Sequence, residues 1–137
     1  MRTRVVKKFK FEMAHILDNS YSKECQNIHG HSYVLEVEFT GSLNIDGMII
    51  DFKRMKEIIS PLVDRMDHSL MVSTATAKSN VFVEIQKLGM NLFIFHTNPT
   101  AENMCHYIFD YIRQQIHLIS RVRLWETENS YAEVSYE

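Results

Sequence analysis

The chain has 137 residues, 45% of them hydrophobic and 23% charged, with only four glycines and two prolines; this excludes a collagen-like or compositionally disordered chain, and one globular domain, residues 1–137, is expected. Fifteen basic residues against 17 acidic ones give a net charge of -2, without the basic surplus on which nucleic-acid binding draws for counterion release, so no nucleic-acid partner is expected. No apolar run approaches the roughly 20 residues of a membrane span and no apolar h-region follows the N-terminal charges, so no membrane partner and a cytoplasmic location are expected.

The first readable signal is a period of two. In residues 5–15, Phe9, Phe11, Met13 and His15 share one face and Lys10 and Glu12 the other; in residues 31–39, His31, Tyr33, Leu35, Val37 and Phe39 oppose Glu36 and Glu38. Both segments read as half-buried strands whose apolar faces carry histidine at one end. Asp51 then stands as a cap before Met55, Ile58, Ile59, Leu62, Val63 and Met66, the stripe of an amphipathic helix. Residues 73–97 are the least periodic and allow a short helix over 81–88 and a short strand over 91–96. Asn98-Pro99-Thr100 is a start signal for a second helix, with Ala101, Met104, Cys105, Ile108, Phe109, Ile112 and Ile116 as its stripe. Alternation returns in residues 121–128, where Val122, Leu124 and Glu126 oppose Arg123, Trp125 and Thr127, and a last strand over 131–136 follows the turn-like Asn129-Ser130.

Strands at both ends with helices between them predict an α+β fold: a four-stranded antiparallel sheet with two helices packed on one face, in ββααββ order. Such a sheet has open edges, which a closed oligomer would pair. A chain of this size buries roughly two-thirds of its unfolded surface, enough for one core without a roomy cavity, so a site at the surface or between subunits is expected.

The densest chemical signal is Cys25-Gln26-Asn27-Ile28-His29-Gly30-His31. His29 and His31 project to one side of an extended chain, and His15 can join them if the first two strands form a hairpin. Gly30 removes a side chain where backbone can come close. Three neutral imidazoles suit Zn2+ with one coordination position open, as in catalytic sites; the competing reading is ordinary strand-end histidines. Three roles stay open for Cys25, which sits in a polar loop: a fourth metal ligand, a base or nucleophile, or an incidental thiol. Cys105 falls on the helical stripe and reads as a small core residue, and two cysteines make no disulfide scaffold. Asp67 can orient the imidazole of His68 and stabilise its protonated form, although a histidine ending a helix also gains from the dipole alone. Glu126 shares its face with Val122 and Leu124, so its carboxylate needs a partner, either a basic neighbour or the adjacent N–H donors of a guanidine-like heterocycle edge. Glu102 reads as a helix-start residue, and His96, His106 and His117 have no evident partner.

Phe11-Glu12-Met13-Ala14-His15, Cys25-x3-His29-Gly30-His31, Gly47-Met48-Ile49-Ile50-Asp51-Phe52, Met66-Asp67-His68, Asn98-Pro99-Thr100-Ala101-Glu102-Asn103 and Glu126-Thr127 follow one another in that order. In this the chain resembles the 6-pyruvoyltetrahydropterin synthase and 6-carboxytetrahydropterin synthase family, from about residue 9 to its end. The resemblance implies the tunnelling fold, assembled as trimers paired into a homohexamer with sites at subunit interfaces. It further implies zinc on His15, His29 and His31, Cys25 as the proton-abstracting thiol, Asp67 and His68 as a proton relay, and Glu126 as the anchor of the pterin ring, sometimes counted in the relay. Thr100, Ala101 and Glu102 match the segment lining the pterin pocket, and the implied substrate is 7,8-dihydroneopterin triphosphate. The spacing of three residues between Cys25 and His29 resembles the branch that releases acetaldehyde and triphosphate to give 6-carboxytetrahydropterin in queuosine biosynthesis. The alternatives are the pyruvoyl-forming synthase and a non-catalytic zinc or pterin-binding module. Met71-Val72, where many members have Leu-Asn, and the long stretch 73–97 depart from the family pattern.

Overall fold

The computed structural model describes residues 1–18 and 23–136. β1 (Thr3–His15) and β2 (His29–Gly41) pair antiparallel along their whole length. Their alternation assigns the faces as expected: Phe11, Met13 and His15 on β1 and Tyr33, Leu35, Val37 and Phe39 on β2 are buried. Phe11 stacks on its cross-strand partner Tyr33 with ring centroids 4.9 Å apart, which adds aromatic contact to the area buried at that end.

α1 (Phe52–Met66) starts at Asp51, whose carboxylate accepts the Lys53 N–H at 2.8 Å. It buries the whole expected stripe. The helix runs through Pro61, whose missing N–H and ring clash cost on the order of 3 kcal/mol in a helix interior; burying a single Leu or Ile recovers about 1.5–3 kcal/mol, so the stripe outweighs the defect.

The expected four-stranded antiparallel sheet is corrected to a six-stranded mixed one. β3 (Ser69–Ser73) and β4 (Leu92–Phe95) add to it, β3 running parallel to β1 and β4 parallel to β3. β3 escapes sequence analysis because Ser69, Met71, Val72 and Ser73 are all buried: a short strand covered on both faces shows no alternation. The crossover between these strands holds α2 (Thr74–Ala77) and α3 (Asn80–Lys87). α3 and β4 match the short helix and strand allowed there, whereas α2 is unforeseen, and the order becomes ββαβααβαββ. α4 (Ala101–Arg113) begins at Thr100, whose hydroxyl accepts the Asn103 N–H at 3.1 Å, and buries the expected stripe except Ile116, which lies past its end.

β5 (Ile119–Thr127) and β6 (Ser130–Ser135) complete the sheet order β4-β3-β1-β2-β5-β6. α1 and α4 share one core with the inward residues of β1, β2 and β5. On the opposite face Lys8, Glu36, Arg123 and Glu133 occupy one register line, with contacts of 3.6, 3.6 and 2.8 Å between successive members, so charge is neutralised across four strands. Among the described residues no helix is long and apolar enough to cross a membrane.

Candidate active site

Strand register builds the centre. His15 lies directly opposite His29, and His31 opposite Met13 two residues along, so three side chains of one parity converge at the end of the β1–β2 hairpin. Their donor atoms all lie within 4.8 Å of one another. The imidazole of His15 donates from Nδ1 to the Pro99 carbonyl at 2.9 Å, and that of His29 donates from Nδ1 to the Asn27 carbonyl at 2.7 Å. A carbonyl can only accept, so both rings carry their proton on Nδ1 and turn the bare Nε2 inward. Those two Nε2 atoms are 2.9 Å apart. Two lone pairs facing each other at that distance repel unless a cation stands beside them. Burial lowers the pKa of His15 from 6.5 to about 4, against the raising effect of Pro99, and burial also lowers that of His31, with Glu126 opposing. Neutral imidazoles are what metal ligation requires, so the donor set fits a divalent transition ion.

The Glu126 carboxylate reaches this centre, with Oε1 3.3 Å from Nε2 of His15 and 3.4 Å from Nε2 of His31. The groups facing it are therefore imidazoles instead of a lysine or arginine: His31 can donate to it from Nε2, whereas the bare Nε2 of His15 is a second acceptor that only a shared cation would reconcile with the carboxylate. On its other side Glu126 lines an open cleft of about 270 Å3 with Ala101, Glu102, Ser130, Tyr131 and Ala132. Two carboxylates thus share one cleft beside the histidines, a setting able to accept paired N–H donors. Thr100 caps α4 and is not among the residues lining that cleft.

Asp67 is the C-cap of α1, and His68 follows in a left-handed conformation at φ 58°. Two hydrogen bonds clip this turn to β1: the Asp67 carboxylate accepts the Glu12 N–H at 2.8 Å, and the His68 N–H donates to the Glu12 carbonyl at 2.6 Å. The second Asp67 oxygen is 3.0 Å from Nδ1 of His68. The Glu12 N–H first and His68 second hold the Asp67 carboxyl below the usual range. Positive φ in a non-glycine residue is sparsely populated and is held by its surroundings; His68 lines an open groove of about 410 Å3 together with His31, Gly30 and Ser32. A Cβ at Gly30 would meet the nearest backbone atom, the Met13 carbonyl oxygen, at 3.5 Å, an ordinary contact, so backbone approach does not demand glycine there.

Cys25 is half-buried in the turn that follows residue 22, and the three-histidine group does not include it. Cys105 is fully buried, donates to the Ala132 carbonyl at 3.2 Å and has its pKa pushed up to about 12 by burial, as a core thiol should. The groups that aim the imidazoles, the Pro99 and Asn27 carbonyls, leave no trace in residue type. Tyr33 joins them without having been expected as a site residue. Its hydroxyl lies 3.4 Å from Nδ1 of His15, and its shared parity with His31 was the available signal.

The fold and centre define an α+β protein with a three-histidine group able to hold a metal, opening on a cleft that offers carboxylates to a small ligand. The chain belongs to the 6-pyruvoyl tetrahydropterin synthase family, whose model matches residues 4–137. It is 39% identical to the 6-carboxy-5,6,7,8-tetrahydropterin synthase of Haemophilus influenzae, covering 95% of this chain and 96% of that protein, and 28% identical over the full length of both chains to the enzyme of the same name from Aquifex aeolicus. The 6-pyruvoyl tetrahydropterin synthase of Caenorhabditis elegans has the same fold at a TM-score of 0.73 and 21% identity, covering 100% of this chain and 97% of that one. An uncharacterised protein from Wolinella succinogenes matches it at a TM-score of 0.84 and 17% identity, covering 100% and 99%.

Proposed function

We propose that the chain is a zinc-dependent 6-carboxy-5,6,7,8-tetrahydropterin synthase that converts 7,8-dihydroneopterin triphosphate to 6-carboxytetrahydropterin, acetaldehyde and triphosphate, a step of queuosine or related deazapurine biosynthesis. The observation that carries the reading is the hairpin register, which gathers His15, His29 and His31 beside a cleft holding Glu126 and Glu102. The names of the Haemophilus and Aquifex relatives support it.

His15, His29 and His31 hold the ion in this reading. When bound, zinc supplies Lewis-acid polarisation of the substrate's side-chain oxygens. Glu126 accepts N–H donors of the pterin ring, with Ala101 and Glu102 forming the wall beside it and Thr100 fixing the helix start that presents them. Cys25, as thiolate, takes a carbon-bound proton. His68, oriented by Asp67, exchanges the opposing proton through its exposed edge. Among the described residues, the outer edge of β6 and the part of β1 before Met13 have no strand beside them, which suits assembly into the homohexamer that would bring further groups to each site.

Incubating the metal-loaded protein with 7,8-dihydroneopterin triphosphate tests the reading. Acetaldehyde and a carboxylated pterin in equal amounts are expected. A pyruvoyl product without acetaldehyde assigns the chain to the sister reaction, and no turnover at all leaves a binding module. In Cys25→Ala, retained zinc with turnover reduced by about 100-fold or more is expected for a thiol acting in proton transfer; loss of zinc would make Cys25 a ligand instead.

A further inference from the structure

Asn98 has no part in the chemistry above, yet three of its polar groups are engaged. Its side-chain oxygen accepts the Asp18 N–H at 2.8 Å, and its side-chain nitrogen donates to the Asp18 carbonyl at 3.3 Å. One amide thereby satisfies both backbone groups of one residue, as a neighbouring strand would. Leu17, immediately before, donates its N–H to the Cys25 carbonyl at 3.0 Å. The restraint passes from Asn98 through Asp18 and Leu17 to the backbone of Cys25.

Asn98 is itself anchored. Its carbonyl accepts from the Thr100 N–H at 2.8 Å and from the Asn103 side chain at 2.9 Å, which ties it to the start of α4. The next residue supplies the carbonyl that orients His15. Asp18 has a second hold, since its carboxylate accepts the hydroxyl of Thr76 in α2. The connection carrying Cys25 is therefore referenced to the same short segment that orients a histidine of the centre and presents Glu102 to the cleft.

We propose that Asn98 is a positioning residue for Cys25, locking the Asp18 backbone so that the thiol stands in a set place relative to the histidine centre. The inference rests on the reading of Cys25 as the proton-abstracting thiol. Proton transfer from carbon tolerates little misalignment, and a displacement of about 1 Å can cost about 100-fold in rate.

The test compares Asn98→Ala with the unaltered, metal-loaded protein. Metal content and KM for 7,8-dihydroneopterin triphosphate are expected to hold, kcat to fall by about 10- to 100-fold, and the rate at which iodoacetamide alkylates Cys25 to change several-fold, while buried Cys105 stays unmodified. Thr76→Val, which removes only the hold on the Asp18 carboxylate, is expected to change both rates in the same direction by less. Unaltered kcat and alkylation in Asn98→Ala overturn the proposal. So does a fall in kcat that tracks loss of metal, since Asn98 would then act through Pro99 and His15. Should the alanine variant fail to fold, Asn98→Asp keeps the acceptor for the Asp18 N–H but cannot donate to its carbonyl, and the same two rates decide. Alkylation needs no substrate: an unaltered protein without turnover defeats the functional reading, while the alkylation rates still judge the latch.

Discussion

The side chain of His15 is fully buried, while that of His68 is 78% exposed. Both belong to one expected site, and the backbone treats them in opposite ways. His15 ends a regular strand, is aimed by a carbonyl and has its pKa lowered to about 4 by burial. His68 sits on a left-handed turn, is clipped to β1 only through its backbone and leans on the Asp67 carboxylate. Burial keeps an imidazole neutral and so suits it to a metal; the exposed ring of His68 stays open to solvent and to a ligand.

The sharpest way to break this contrast is His15→Ala. Bound metal, measured by elemental analysis, is expected to fall from one ion per chain to background, with an affinity loss beyond the roughly 10- to 100-fold that removal of an outer partner costs. Turnover falls with it. In His68→Ala the metal stays, and turnover is expected to drop by about 100-fold or more, the range for losing a proton-transfer group. Equal metal loss in both variants would show that the two histidines do not divide the work.

A smaller effect separates them by pH in the metal-free protein. The folded pKa of His15 near 4 lies below the unfolded value of 6.5, so below pH 6.5 the unfolded chain binds a proton that the folded one refuses. Stability contributed by the neutral ring is complete above pH 6.5, declines as pH falls through that value and is lost near pH 4, on the order of 3 kcal/mol. Urea unfolding at pH 7, 5.5 and 4 reads it, and His15→Gln should flatten the decline.

Much of this site is visible in residue order because it depends on parity. His15, His29 and His31 sit on strands whose alternation is clear, so their convergence needed only the hairpin. Glu126 was marked by a charge on an apolar face, although the structure sets it against imidazoles as well as in the cleft. The partners of the imidazoles were hidden, since any residue has a carbonyl and only the path of the chain brings Pro99 to His15. β3 was hidden for the opposite reason: being covered on both sides, it carries no contrast between positions.

Periodicity and residue chemistry alone establish the α+β class, both long helices with their start signals, the faces of three strands and the three histidines, because each depends on neighbours within a few positions. The strand β3, the parallel pairing of β3 and β4, the left-handed turn at His68, the carbonyls that select the tautomers and the grip of Asn98 on Asp18 arise between segments far apart in the chain. Their geometry follows from how the core packs, and no local pattern encodes it.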